Sequence, residues 1–371
     1  MSSPVALATR PAGITEGTAA FALDRARSLQ LPALRAAASA ATRPDVERVL
    51  LQERLSLGDF AVLLSPAAAE PDLLEAMARR SHKTTVRRFG RTMHLFAPLY
   101  LSNECVSTCT YCGFSAGNEI ARRTLDVEEV VIEAKTLAHA GFRHILLVSG
   151  EHPRLVSKHY MRECIAALAP IVAQLAVEVQ VWDEETYRTF VEAGCDGLVV
   201  YQETYDPATY AAVHLKGKKR NYDWRLGALD RGAAAGMRRL GVGALYGLHG
   251  DWREDAIMTA AHAEALVRRW WRCEVTVSLP RLRPCALPSG DHELPSPPAL
   301  DDRSFTQLLC ALRLFLPDIG IVLSTREPEE LRDALLPLGV TQVSAGSHTE
   351  PGGYPSRSDA EPQFDVADTR S

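Results

Sequence analysis

Three cysteines, Cys105, Cys109 and Cys112, lie in the stretch CVSTCTYCGF, with three residues between the first pair and two between the second. A closed structural zinc site wants four ligands, usually as two such pairs, and no second pair is present. A cubane [4Fe–4S] cluster normally takes one thiolate per iron. Three thiolates on one short loop therefore leave one iron open, and an open iron can take the amino and carboxylate groups of a small molecule. S-adenosylmethionine (SAM) offers that pair of groups and brings radical chemistry that a protein need only position. Tyr111, directly before the third cysteine, suits a flat adenine nearby. A zinc or redox thiol loop is the competing reading. The other cysteines, Cys164, Cys195, Cys273, Cys285 and Cys310, are scattered in mostly apolar contexts and read as small packing hydrophobes.

Such a loop needs a scaffold. Apolar, β-branched runs recur at 93–102, 144–150, 176–182, 196–202, 239–247, 274–280, 319–325 and 340–346. Between them lie stretches with helical spacing, such as VEEVVIEAKTLAHAG, which stops at Gly141, HYMRECIAALAPIVAQL and DWRLGALDRGAAAG. This alternation predicts parallel βαβ units. Eight strands at this spacing fit an α/β (β/α)8 barrel over residues 91–346, with a doubly wound open sheet as the competing architecture. The thiol loop follows the first strand, at the C-terminal face where such barrels carry their chemistry. Residues 1–90 are Ala-rich and read as a helical N-terminal extension. Residues 347–371, rich in Gly, Pro, Ser and Asp, read as an irregular C-terminal tail over the surface.

The formal net charge of -5 argues against a nucleic-acid partner. The basic runs Arg79–Arg88 and Lys216–Arg220 lack interleaved aromatics and read as solvated faces. No apolar stretch approaches the roughly 18 residues of a membrane span, and the N-terminus lacks the apolar core of a secretory signal. A cytoplasmic protein is expected.

The thiol stretch, read as CxxxCxΦC, resembles the signature of the radical SAM superfamily. PLYLSNECVSTCTYCGFS, LLVSGEH, VYQETYDPATY, HLKGKK, SLPRLRPC, LSTREPEELRD and LGVTQVSAGSHTEPGGY resemble one family within it. That family is the tyrosine lyases of thiazole biosynthesis, the 2-iminoacetate synthases, and the resemblance runs from about residue 55 to 354. It implies a radical SAM (β/α)8 barrel, one [4Fe–4S] cluster on Cys105, Cys109 and Cys112, and SAM. It also implies L-tyrosine as substrate, thiazole synthase as partner and an external one-electron donor. The implied reaction begins with reductive cleavage of SAM to methionine and a 5′-deoxyadenosyl radical. That radical takes hydrogen from the amino group of tyrosine. The Cα–Cβ bond then breaks, giving 2-iminoacetate (dehydroglycine) and, after reduction, p-cresol.

The resemblance also implies roles for individual residues. Glu151 would accept from the SAM amino group, with Gly150 letting backbone approach it. Glu203 would accept from the ribose hydroxyls and Arg225 would hold the SAM carboxylate. Tyr100, Arg326 and Ser344, each at a strand end, would grip the amino acid. Plainer readings stand beside these: a loop glutamate for Glu151, a helix-start acid for Glu203, a surface arginine for Arg225 and an ion pair with Glu327 or Glu330 for Arg326. Arg281 and Arg283 bring positive charge to the same rim, and His152 and His214 are given no role. Family members usually continue with a further helix after a QF…D stretch. Here the sequence ends at Ser371, which puts partner contacts rather than chemistry in question. Tryptophan lyases, the tyrosine lyase of di-iron hydrogenase maturation and a non-catalytic iron–sulfur protein are the rival readings.

Overall fold

The computed structural model of the chain describes residues 14–285, 300–356 and 358–370. Residues 1–13 of the expected extension, 286–299 of the expected barrel range, and Arg357 and Ser371 of the expected tail lie outside the described residues.

Eight parallel strands close into a barrel: β1 (His94–Ser102), β2 (His144–Ser149), β3 (Gln174–Glu178), β4 (Gly197–Glu203), β5 (Arg239–Ala244), β6 (Glu274–Ser278), β7 (Gly320–Leu323) and β8 (Gln342–Ser344). Each pairs with its neighbours in sequence, and β1 closes the ring by pairing His94 with Gln342 and Phe96 with Ser344. The strand runs are rich in Val, Ile and Leu because both faces are covered, by helices outside and by side chains within. Phe96, Leu146, Tyr201, Ser278 and Val322 line both the barrel mouth and the interior beneath it, so they form a floor under the mouth. The expected (β/α)8 barrel is the observed one.

Two expected elements have different limits. The helix read through HYMRECIAALAPIVAQL spans Lys158–Leu168. Pro170 follows, and its ring and missing N–H prevent continuation. The chain then re-enters the sheet early, with Gln174 opposite His144. β3 consequently ends at Glu178, where the sequence pattern had placed mid-strand residues. The helix expected over DWRLGALDRGAAAG is broken at Gly227 into Tyr222–Leu226 and Ala228–Ala235.

The N-terminal helices Ala19–Ala40, Arg43–Leu50, Leu57–Leu63 and Pro71–Phe89 pack outside the barrel, on its helices Trp252–Arg269 and Asp302–Phe315. The basic run 79–88 lies on the last of the four and is spent on local contacts. Arg79 pairs with Glu75, Arg88 with Asp318, and Arg80 donates to the Leu50 carbonyl at 2.6 Å. The tail does not simply run over the surface. Asp368 is buried against Arg332, and Gln363 and Phe364 reach the barrel mouth. No helix among the described residues is long and apolar enough to cross a membrane.

One buried carboxylate fastens the extension. Asp230 accepts from the backbone N–H of Ala19 and of Ala20, both at 2.9 Å, and from Trp270 Nε1 at 2.7 Å. The first two are orphan donors at a helix start, which need a partner when buried. Asp230→Ala leaves two buried backbone donors and the half-buried Trp270 indole N–H unmet. The expected loss is about 2–5 kcal/mol of stability, from roughly 1–3 kcal/mol for a buried group left unsatisfied. Urea unfolding of the variant against the unaltered chain measures it, and an unchanged midpoint would refute the docking role.

Candidate active site

The thiol loop leaves the end of β1 and is held on two sides. Thr108–Cys109 pairs antiparallel with His214–Lys216 in a short clip outside the barrel sheet. The next residue, Gly217, has φ +93°, and a Cβ there would overlap the backbone and hydroxyl of Ser107. On the other side, a Cβ on Gly150 would overlap the Glu104 carbonyl. The room at Gly150 is therefore taken up by the loop that carries Cys105. Cys109 N–H donates to Ser115 Oγ at 3.2 Å, and Ser107 N–H donates to Cys105 Sγ at 3.4 Å.

The loop suits a cluster rather than a single ion. Among the described residues, the group of three metal-type donors whose ligand atoms all lie within 4.8 Å is Asp206, His249 and Glu254, and the three cysteines form no such group. Two of that trio are engaged already: Asp206 caps the helix that follows it and Glu254 pairs with Arg35. Burial, with Cys112 and Glu151 nearby, pushes the Cys105 thiol up to about 11, and burial raises the Cys109 thiol also. Three adjacent thiolates are thus unfavourable without positive charge among them, which an iron cluster supplies. Cys164, Cys195 and Cys310 are buried packing thiols as expected. Cys285 departs from that reading, since its Sγ lies 3.6 Å from the Tyr111 carbonyl, beside the loop.

Next to the loop, four charged side chains form one network. Arg225 lies between Glu151 and Glu203, with its terminal nitrogens 3.4 Å from each, and its Nε donates to the Tyr201 carbonyl at 2.7 Å. Lys219 donates to Glu203 at 2.6 Å. Ser107 Oγ donates to Glu151 at 3.4 Å and so joins the network to the thiol loop. Glu151, Glu203 and Arg225 are buried, so neither the loop-glutamate nor the surface-arginine reading holds. Burial alone would raise the Glu203 carboxyl, but Lys219 and Arg225 hold it below its usual range. The contacts of Arg225 with the two carboxylates exceed the 2.7–2.9 Å of close charged hydrogen bonds, which leaves donor and acceptor capacity for a zwitterionic ligand. Lys219 was hidden in a run read as solvated.

Glu203 owes its position to backbone strain. The β4–β5 register slips between Tyr201 and Glu203, and Glu203 alone of the described non-glycine residues has positive φ, at 71°. Such a bulge re-aims a side chain and is costly for a residue with a Cβ. Tyr111 is held differently. His214 Nδ1 donates to the Tyr210 carbonyl at 2.8 Å, so its Nε2 is the acceptor for the Tyr111 hydroxyl at 2.7 Å. Burial pushes the His214 imidazole down to about 3. It is a neutral structural partner, in keeping with the absence of an assigned role. His152 likewise serves a turn, accepting from Leu155 N–H.

The second half of the site is a cavity in the barrel mouth, concave and lined by apolar residues with a few polar groups, as small-molecule sites are. Tyr100, Arg326 and Ser344 all line it, as expected from their strand ends. The Ser344 hydroxyl accepts from Thr325 N–H at 3.1 Å, which leaves its proton free to donate. The Arg326 guanidinium lies 3.4 Å over the Phe364 ring. Among the described residues it has no ion pair. Glu327, the neighbour that might have held it, is buried against Arg281 and Arg283. Both rim arginines are therefore structural partners of Glu327.

Gln363 bridges the two halves. Its Oε1 accepts from the Tyr100 hydroxyl at 2.7 Å, and its Nε2 lies 3.7 Å from Cys112 Sγ. Glu178 at the end of β3 also faces the cavity. Desolvation and the nearby Glu203 charge push its carboxyl up to about 7, although Arg326 pulls the other way. Neither Gln363, Phe364 nor Glu178 was singled out by sequence reasoning. A strand-end rule would have found Glu178 had Pro170 been used to place β3.

The comparisons agree with this geometry. The pattern of the radical SAM superfamily matches residues 99–263, and that of the biotin and thiamin synthesis associated domain matches residues 278–371. The chain is 44% identical to the 2-iminoacetate synthase of Escherichia coli K12 over 347 residues, covering 94% of this chain and 90% of the relative. It is 43% identical to that of Salmonella typhimurium over the same length. Among solved structures, the FeFe-hydrogenase maturase HydG from Carboxydothermus hydrogenoformans superposes with a TM-score of 0.81 at 33% identity, covering 93% of this chain and 79% of that one. The cofactors are a [4Fe–4S] cluster and SAM, and the chain belongs to the 2-iminoacetate synthase family of radical SAM enzymes.

Proposed function

We propose that this chain is a lyase that breaks the Cα–Cβ bond of L-tyrosine, giving 2-iminoacetate and p-cresol. The carrying observation is the mouth cavity, lined by an arginine fork that has no ion partner among the described residues and by a serine hydroxyl, and joined to the thiol loop through Gln363. When bound, the cluster and SAM supply a 5′-deoxyadenosyl radical able to take hydrogen from the substrate. Cys105, Cys109 and Cys112 would hold the cluster. Arg225 would take the SAM carboxylate, Glu151 its amino group and Glu203 its ribose, with the Tyr111 ring by the adenine. Lys219 balances the Glu203 charge.

In the cavity, Arg326 and Ser344 would grip the amino-acid carboxylate, with Tyr100 beside its amino end. The Phe364 ring supports the Arg326 guanidinium, and a ring contact leaves its N–H donors to a carboxylate. The tail residues Gln363 and Phe364 also narrow the mouth, which keeps water from a reactive intermediate. An external one-electron donor is required. 2-Iminoacetate hydrolyses readily, so a dedicated acceptor protein, thiazole synthase, is the expected partner. A reducing cytoplasm, where thiols stay unpaired and able to bind iron, is the compartment that suits this chemistry.

The reading is tested with protein reconstituted anaerobically with iron and sulfide and supplied with SAM, a reductant and either tyrosine or tryptophan. Tyrosine should yield 5′-deoxyadenosine and p-cresol. A full cluster with neither product sinks the proposal, and products from tryptophan instead would make it a tryptophan lyase. Cys109→Ala should abolish SAM cleavage, whereas Cys310→Ala should affect only stability. Arg326→Lys should harm turnover nearly as much as Arg326→Ala, since a point charge does not replace a fork. Losing a charged hydrogen bond weakens binding by about 1.5–3 kcal/mol, and turnover should fall further because geometry is loosened. The SAM-induced change in the reduced cluster's spectrum should persist in both Arg326 variants.

A further inference from the structure

We propose that Glu178 accepts a hydrogen bond from the phenol hydroxyl of the substrate and so sets the choice of tyrosine over amino acids lacking that group. This rests on the tyrosine-lyase reading above and adds a specificity-determining residue to it.

In the closed order, β3 and β7 are separated by three strands in either direction, so they face each other across the barrel. Glu178 ends β3, and Arg326 follows β7. Both line the mouth cavity, and they do not form an ion pair. Opposite charges facing one cavity without meeting leave space between them for a ligand with a polar group at each end. Phe96, Leu146, Tyr201 and Val322 line the cavity with them and offer an apolar bed for a ring.

The substrate's chemistry fixes which end goes where. With its carboxylate on Arg326 and Ser344, an amino acid keeps its amino group at the same end, because both sit on Cα. The polar atom farthest from that end is the phenol oxygen. It is the group that reaches across the barrel toward β3.

Glu178 is suited to receive it. Among the described residues its carboxylate has no hydrogen bond or ion pair within the chain, while Glu151, Glu203 and Glu327 are each engaged. A carboxylate in a confined apolar site gains from a hydroxyl donor. Desolvation and the Glu203 charge push the Glu178 carboxyl up to about 7, which shows how little its surroundings now satisfy its charge. A site built to bond a substrate hydroxyl rejects the analogue without one, since its own polar group is then left unpaired.

The test uses the reconstituted, SAM-loaded protein. Equilibrium binding of labelled L-tyrosine and L-phenylalanine is measured under anaerobic conditions, beside p-cresol formation from tyrosine. The unaltered protein should bind tyrosine at least about 100-fold more tightly than phenylalanine. Glu178→Leu should weaken tyrosine roughly 10- to 100-fold and leave phenylalanine unchanged or tighter. Glu178→Gln, nearly the same shape, should weaken tyrosine less than Leu does, and it serves if the Leu variant does not fold.

Equal weakening of both amino acids would place Glu178 at the shared amino end and overturn the proposal. So would loss of SAM binding with tyrosine affinity kept, unchanged tyrosine binding in both variants, or phenylalanine binding as tightly as tyrosine to the unaltered protein. Absence of p-cresol from the unaltered protein overturns the lyase reading itself. Normal p-cresol with any of the preceding results overturns the role of Glu178 alone.

Discussion

The site depends on keeping four charges together under the barrel mouth. Glu151, Arg225, Glu203 and Lys219 lie close together around one site, and two negative charges meet two positive ones. Burying any of them singly would cost several kcal/mol. Together they oblige the ends of β2 and β4 and the segment 217–226 to converge on one place. The Ser107 hydroxyl on Glu151 extends the obligation to the thiol loop. The strained Glu203 backbone is part of the same arrangement, because the bulge at the end of β4 turns its carboxylate toward Lys219.

With that network in place the mouth divides into two poles. One, around the thiol loop and the four charges, is ionic and matched to a charged cofactor. The other is an aromatic and aliphatic bed with Arg326 and Glu178 at its edges. Gln363 touches both, with one amide atom toward Cys112 and the other toward Tyr100. Two glycines let the loop sit low enough for this. Gly150 clears the Glu104 carbonyl and Gly217 clears Ser107, so the loop is gripped by backbone contact on both sides. Fixing it through backbone contacts costs little side-chain entropy.

The tail turns an open barrel end into a cavity. Arg332, buried, pairs with Asp368 and donates to the Ser344 carbonyl at 2.5 Å. The same arginine thus ties the tail to β8. The backbone of Ala367 and Asp368 donates to the Thr325 carbonyl, and the Phe364 ring lies on Arg326. A segment without helix or strand among its described residues supplies one wall of the site.

The sequence by itself determined the barrel and the thiol loop, because both are local. Helical and strand periods show in any short window, and three cysteines on one loop are neighbours in any fold. It also placed Tyr100, Arg326 and Ser344 at strand ends, and the barrel's geometry carried them to the mouth. Tertiary structure decided the rest. Glu178 became a rim residue because Pro170 ended a helix early and β3 runs over Gln174–Glu178 instead of 176–182. Lys219 looked like one of several solvated basic residues until the fold set it, half-buried, against Glu203. Gln363 meets Tyr100 across 263 positions of chain, a contact that no local pattern encodes. Partners of buried charges and walls of a cavity are chosen by which distant segments the packed core brings together, and that choice exists only once the chain has closed on itself.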